Sequence, residues 1–264
     1  MNKLIFLGTG AAASLDRQMT GLCFVVGDCA FLIDCGDGTG TLRQLVKAGV
    51  PLSSINDIFI THKHRDHIMG VPSLLFHNIL IGKNREVRIY GPKQALDILE
   101  YIVFETHTYD DAAKKRVAFE PLWSHQVVSL RTRPKTTVTG VLLTHQDPEL
   151  ECYAYIVSIG GMRVAFTGDM EPDPVFENAV GGVDIIVHEC FGVSQNSAYT
   201  HSVRHSTAKD AGTLAAKASA KTLILTHLPP KDILANEELL LGEARKYFSG
   251  EIILAKDLLE LRLS

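Results

Sequence analysis

Four short apolar runs in this chain of 264 residues end in the same way. DIFIT leads into His62, GVLLT into His145, RVAFT into Gly168 and Asp169, and TLILT into His227. Apolar, β-prone runs of this length predict strands. Each of the four therefore finishes in threonine and then, at the next position or the one after, in a side chain able to bind a metal ion. Taken singly, His145 or His227 reads as an ordinary strand-end histidine, and Asp169 as a turn residue after Gly168. If the strands that carry them lie in sheets with one common edge, these side chains converge.

The densest stretch is ITHKHRDHIMG, Ile60 to Gly70. His62 and His64 lie two residues apart where a strand ends, so on an extended chain they point to the same side. Asp66 alone would suit a helix N-cap. The apolar run after Asp66 and His67 has helical character, which turns these two side chains back towards the strand end. With His145, Asp169 and His227 the set holds five imidazoles and two carboxylates. That is too many for one tetrahedral ion and right for two zinc-like ions sharing a bridging carboxylate.

Twelve runs predict strands: KLIFLG, LCFVVG, AFLID, DIFIT, VRIYG, VVSLRTR, VTGVLLT, YAYIVS, RVAFTG, DIIVHE, TLILT and EIILAK. Between them lie helical patterns. TGTLRQLVKAG places Leu42, Leu45 and Val46 on one face and stops at Gly49, and NEELLLGEARKYFSG starts at an Asn236 cap and stops at Gly250. In HSTAKDAGTLAAKASA, Ala208, Ala211, Leu214, Ala215 and Ala218 form a small-residue stripe suited to close packing on a sheet. With no linker, repeat or low-complexity segment, residues 1–264 are expected to form one α/β domain. Glu105 to Gln126 is the least regular region, either an excursion over a binding site or a long connection.

A net charge of −4 argues against a broadly basic nucleic-acid surface. The five cysteines, Cys23, Cys29, Cys35, Cys152 and Cys190, form no C-x-x-C pair and suit a reducing compartment. The apolar run before Gly8 is too short for a signal peptide, and no stretch approaches a membrane span. The expectation is a cytoplasmic protein.

THKHRDH is similar to the H-x-H-x-D-H signature of the metallo-β-lactamase fold, and His145, Asp169 and His227 match its remaining ligand positions in order. The resemblance implies an αββα sandwich of two mixed β-sheets flanked by helices, with a dinuclear site at one edge. Within that fold, FLGTGAAAS, FLIDCGDGT, IIVHEC, HSTAKDAG and LILTHLPP resemble the ribonuclease Z-like branch. By that likeness His62, His64 and His145 hold one ion, Asp66, His67 and His227 the other, and Asp169 bridges. His205 falls where the branch places a histidine beside the scissile phosphate, and Glu189 on the glutamate that orients it; a homodimer is also implied.

Two departures bear on substrate. The branch's transfer-RNA-binding arm lies between the positions of His145 and Asp169, which are only 24 residues apart here, in an interval that reads as two strands and a turn. LTHLPPKD also lacks the serine-arginine ending that follows the last histidine in that enzyme.

The expected activity is dinuclear metal-dependent phosphodiester hydrolysis of a small molecule or RNA. The expected ions are two Zn2+, with manganese or iron admitted by the same ligands. Asp66 would orient or deprotonate the attacking water, and His205, held by Glu189, would bind or protonate the phosphate. Alternatives are hydrolysis of a lactone, ester or thioester, and a non-catalytic metal-bound ligand-binding role. GTGAAA followed by Asp34 imitates a dinucleotide fingerprint, but two strand-like runs replace the required helix. His201 and His205 have zincin spacing without its glutamate. His77, His107, His125 and His188 read as structural or solvated, and Lys63 and Arg65 as exposed charges flanking the site.

Overall fold

The computed structural model describes residues 2–12, 14–80, 86–106, 109–143, 150–231 and 236–263. The first half of the chain runs β1 (Asn2–Gly8), β2 (Gly21–Val26), β3 (Cys29–Ile33), α1 (Thr39–Lys47), β4 (Ile55–Phe59), α2 (Arg65–Ile68), α3 (Gly70–Leu80), β5 (Val87–Gly91), α4 (Lys93–Thr106), α5 (Asp111–Lys114) and β6 (Val117–Pro121). The second half continues β7 (Val127–Leu130), β8 (Thr136–Leu142), β9 (Tyr153–Ile159), β10 (Met162–Phe166), α6 (Pro174–Ala179), β11 (Ile185–Glu189), α7 (Ser197–Ser202), α8 (Ala208–Lys217), β12 (Thr222–Thr226), α9 (Glu238–Ala244), β13 (Glu251–Leu254) and β14 (Glu260–Leu263).

The strands form two seven-stranded mixed sheets, ordered β14-β1-β2-β3-β4-β5-β6 and β13-β12-β11-β10-β9-β8-β7. In the first, β3 to β6 are parallel; in the second, β10 to β13 are parallel. The remaining neighbours pair antiparallel. The inner faces meet through Phe6, Phe24, Phe31 and Phe59 of one sheet and Tyr155, Phe166, Val187 and Ile224 of the other. The outer face of the first sheet packs on Leu45, Leu74, Leu96 and Leu99 of α1, α3 and α4. That of the second packs on Phe176, Ala211, Ala215, Leu240 and Ala244 of α6, α8 and α9. Burial on both faces is why these strands read as continuous apolar runs without alternation. The architecture is the expected αββα sandwich of the metallo-β-lactamase type.

All twelve expected strands form, and β6 and β14 are two more. Both are edge strands with exposed positions, so neither carries the apolar run that marked the others. Among its described residues, the region from Glu105 to Gln126 holds the end of α4, then α5 and β6. In α1 the buried face is Thr41, Gln44 and Leu45, whereas Val46 is exposed. One step past Leu45 is a 100° rotation, enough to carry Val46 off that face. Asn236 does not cap α9 as expected: its Oδ1 accepts from Glu238 N, but the N-cap is Glu237 and the helix ends at Ala244.

The small-residue stripe on α8 is buried as expected, and the helix begins with a capping box between Thr207 and Asp210. Gly212 lets α8 and α9 close together, since a Cβ there would stand 2.9 Å from the Ala244 carbonyl. Among the described residues no helix is long and apolar enough to cross a membrane.

Candidate metal centre

Parallel β3 and β4 end at one edge of the first sheet, and β10, β11 and β12 end beside them in the second. What joins the two edges is backbone: Tyr153 N donates to Thr61 O at 2.8 Å, and Gly168 approaches Thr61 so closely that a Cβ there would lie 2.9 Å from its side chain. His62 and Asp169 are thereby brought together.

The turn after His64 enters α2 and then α3, as the helical pattern required. Cys35 N donates to His67 O, and a Cβ on Gly70 would stand 1.8 Å from the Cys35 carbonyl, so only glycine permits this crossing. The helix start folds Asp66 and His67 back over the end of β4.

Around the resulting cluster, His67 Nε2 lies 3.4 Å from Asp66 Oδ2 and 3.5 Å from Asp169 Oδ2. His227 Nε2 lies 3.5 Å from Asp66 Oδ2 and 3.3 Å from Asp169 Oδ1. His62 Nε2 stands 3.7 Å from Asp169 Oδ2 and 2.8 Å from His64 Nδ1. His62, His67, Asp169 and His227 are almost completely buried, and His64 is at the exposed mouth. Six of the seven expected ligands therefore share one site. The seventh, His145, lies outside the described residues.

The second nitrogens show how the rings are held. Asp34, which follows β3, accepts from Thr61 N at 2.9 Å and from Thr61 Oγ1 at 2.9 Å. It also accepts from His67 Nδ1 at 2.7 Å. Thr61 Oγ1 lies 3.0 Å from His62 Nδ1 and accepts from it. Both rings thus have Nδ1 engaged and turn Nε2 to the common point, the arrangement that orients metal-binding imidazoles. Asp34 is the positioning residue that sequence reasoning passed over, noticed there only as the acid of a false dinucleotide motif. Its backbone is left-handed, φ 57°.

A metal ion fits this donor set. His67 Nε2 and His227 Nε2 are buried and make no hydrogen bond, although carboxylate oxygens stand near them. Burial pulls the His67 imidazole down, but Asp169 and Asp34 raise it well above its ordinary value. The negative potential that favours a proton there favours a cation in its place. Burial pushes Asp66 up, and the imidazoles of His227 and His67 overcome it, holding the carboxyl far below its usual range. Burial and the neighbouring His67 push His62 well down, towards the neutral form that a ligand needs.

Beside the cluster, His205 Nδ1 donates to Glu189 Oε2 at 2.9 Å, and Glu189 Oε1 accepts from Met170 N. Burial lowers the His205 imidazole, but the Glu189 carboxylate reverses this and brings it up to about 9. The Phe191 ring stacks on that imidazole, centroids 4.5 Å apart. His205, Phe191, Asp66 and Asp169 line a cavity of about 460 Å³ together with Ala11, Ala12 and Pro230.

The other expectations resolve simply. His188 is buried with Nδ1 on the Glu189 carbonyl, His125 sits in an exposed turn, and His107 lies outside the described residues. Arg65 borders the cavity, and His201 pairs with Asp210 at 2.9 Å. Strands β2 and β3 occupy the interval between Gly8 and Asp34 where a dinucleotide fold needs a helix.

A family model described as anti-Pycsar protein Apyc1 matches residues 2–238. Ribonuclease Z of Methanocaldococcus jannaschii is 30% identical, covering 86% of this chain and 85% of its own length. Ribonuclease Z of Haloarcula marismortui is 27% identical, covering 99% and 96%. Among solved structures, the metallo-β-lactamase fold protein YhfI of Bacillus subtilis superposes with a TM-score of 0.83 at 25% identity over 98% of both chains. The short form of human tRNase Z does so with a TM-score of 0.78 at 24% identity over 99% of both, a likeness of fold.

Proposed function

Because this chain belongs to the Apyc1 family of anti-Pycsar proteins, in the ribonuclease Z-like branch of the metallo-β-lactamase fold, and is a metal-dependent hydrolase, we propose that it hydrolyses phosphodiesters at a pair of divalent ions. His62, His64 and His145 would hold one ion and Asp66, His67 and His227 the other, with Asp169 between them. Zinc is the first candidate on ligand chemistry. All five cysteines are free, which suits a reducing, cytoplasmic setting.

The observation that carries the reading is the His205–Glu189 pair at the border of the cluster, with His205 lining the same cavity. A buried carboxylate on Nδ1 favours the imidazolium and leaves Nε2 to donate, a group suited to a phosphate oxygen or a departing alkoxide. An acyl substrate is neutral at the reacting carbonyl before attack and develops its oxyanion only in the transition state, so it needs a fixed imidazolium less. Bound ions of this kind supply a nucleophile at neutral pH and charge opposite the phosphate. Asp66 would orient the attacking water or accept its proton, and Phe191 would fix the plane of the donating ring.

Size argues for a short nucleotide diester rather than folded transfer RNA. Between β8 and Asp169 the chain has room only for β9, β10 and their Gly160–Gly161 turn besides residues 143–152. The test is hydrolysis of bis(p-nitrophenyl) phosphate by zinc- or manganese-loaded protein beside Asp66→Ala, with a lactone panel in parallel. Turnover abolished by the substitution supports the reading. An inert metal-loaded protein, or preference for lactones, overturns it.

A further inference from the structure

His62 and His67 are oriented through their second nitrogens, and His227 is not. Among the described residues its buried Nδ1 makes no hydrogen bond, so nothing turns this ring as Thr61 and Asp34 turn the other two. Its backbone is left-handed instead, φ 50°. A residue other than glycine keeps that conformation only where its surroundings over-determine it.

The surroundings that do so are hydrogen bonds to the peptides on either side. Before His227, Thr226 O accepts from Cys190 N at 2.9 Å. After it, Leu228 N donates to Thr9 O at 2.8 Å, and Leu228 O accepts from Ala11 N at 2.9 Å. The loop that follows β1 therefore grips the residue next to the ligand by both its N–H and its carbonyl, and fixes the direction in which the imidazole leaves the chain. The same loop supplies Ala11 and Ala12 to the cavity.

That loop is held in turn by two charged side chains. Asp257, in the turn between β13 and β14, accepts from Thr9 N at 3.0 Å and Thr9 Oγ1 at 2.7 Å through one oxygen, and from Gln18 N at 2.7 Å through the other. Arg17, its side chain only 10% exposed, donates to Thr9 Oγ1 at 2.8 Å, to Ala255 O at 3.0 Å and to Glu237 Oε1 at 2.6 Å. Thr9 is completely buried between them, its hydroxyl donating to Asp257 and accepting from Arg17. Hydrogen bonds with one ionised partner are roughly twice as strong as neutral ones. The turn bearing Asp257 is itself tied to β1, since Leu258 N donates to Phe6 O at 2.7 Å and Phe6 N to Leu259 O at 2.9 Å.

We propose that Asp257 and Arg17 are positioning residues for the metal centre: by gripping Thr9 they fix the backbone around His227 and so aim its Nε2. The inference rests on the reading of His227 as a metal ligand. The competing role for the network is a plain structural clasp between β1 and the turn after β13.

Competition of the full chain with a chromophoric chelator for zinc reads the effect without turnover. Thr9→Val keeps the side chain's shape, removes its hydroxyl and should weaken zinc binding about tenfold, the low end of the cost of losing an orienting partner. Thr9→Ser should restore it, and Asp257→Ala, which leaves Thr9 in place, should weaken binding at least as much as Thr9→Val. A double-mutant cycle separates aiming from clasping. In a His227→Ala background, Thr9→Val should cost no further affinity for the zinc that remains, because the ring it aims is gone. Equal losses in both backgrounds, or zinc affinity unchanged in Thr9→Val and Asp257→Ala while Tm falls, make the network a clasp and overturn the proposal. Wild-type protein that binds no zinc overturns the metal reading itself, and this inference with it.

Discussion

Asp34 Oδ2 lies 2.7 Å from His67 Nδ1, with both side chains fully buried and 33 residues apart in sequence. The same carboxylate holds Thr61, whose hydroxyl in turn holds His62. One carboxylate therefore sets the ring orientation of two proposed ligands on opposite sides of the helix turn. Asp34→Ala is expected to lower zinc affinity about 10- to 100-fold, the usual cost of losing such a partner. Asn tolerates the left-handed backbone at this position, so Asp34→Asn separates the lost charge from lost geometry. Competition with a chromophoric chelator measures both, and unchanged affinity in Asp34→Ala would show that the rings orient without it.

His205 and Glu189 make a different prediction, because the proposed ligand set includes neither, although the His205 ring stands within 4.8 Å of ligand atoms of Asp169 and His227. His205→Ala should cut turnover about 100- to 10,000-fold, the range for a lost general acid or base. Glu189→Gln should cost less, since the amide keeps a contact but not the charge. Both variants should retain their full metal content by elemental analysis. Loss of metal in parallel with activity would move the pair into the metal site and out of the chemistry.

Metal removal is expected to destabilise the fold. Buried Asp66 and Asp169 stand among His62, His67 and His227, a cluster of charges that a cation balances. Ligand present at 100 times its Kd stabilises the native state by about 2.7 kcal/mol, so chelation should lower Tm and added zinc restore it. A melting curve indifferent to both would argue that these residues hold no ion.

How much of this was legible beforehand follows from what each signal needed. The twelve apolar strands announced themselves because both faces of each sheet are covered. Strand β6 did not, for its VAFEP sequence is half exposed at a sheet edge. The HxHxDH stretch and the Thr-ending runs marked the His and Asp cluster, since local sequence places His62, Asp169 and His227 just past strand ends and Asp66 and His67 at the start of α2. Asp34 was unreadable by the same logic. Its partners are fixed by the crossing at Gly70 and Cys35, a tertiary contact with no local periodicity.

Thiol chemistry offers an independent check of the packing. Burial pushes Cys23 up to about 12 and raises Cys35, Cys152 and Cys190 as well. Such thiols are both inaccessible and protonated near neutral pH, and hence inert. Cys29 alone is half-buried, at the start of β3. Native protein at pH 8 should therefore release one equivalent of thionitrobenzoate from Ellman's reagent, and five after denaturation, in agreement with the five free thiols. Cys29→Ser should abolish the native signal. Two or more fast thiols would mean that a core described as closed is open.

The hydroxyl of Tyr155 tests the join between the sheets. It lies on β9, and it donates across the inner core to the Ile60 carbonyl at 2.6 Å, two residues before His62. Tyr155 is completely buried, so Tyr155→Phe keeps the ring packing and removes only this bond. Leaving a buried carbonyl without its donor costs about 1–3 kcal/mol, which denaturant unfolding at constant m-value would register. Because Ile60 anchors the strand end that carries His62, the substitution should also weaken zinc binding, though less than Asp34→Ala. Loss of stability with full metal affinity would show that the cluster is held from the Asp34 side alone. No loss of stability would mean that water replaces the phenol and that the sheets join elsewhere.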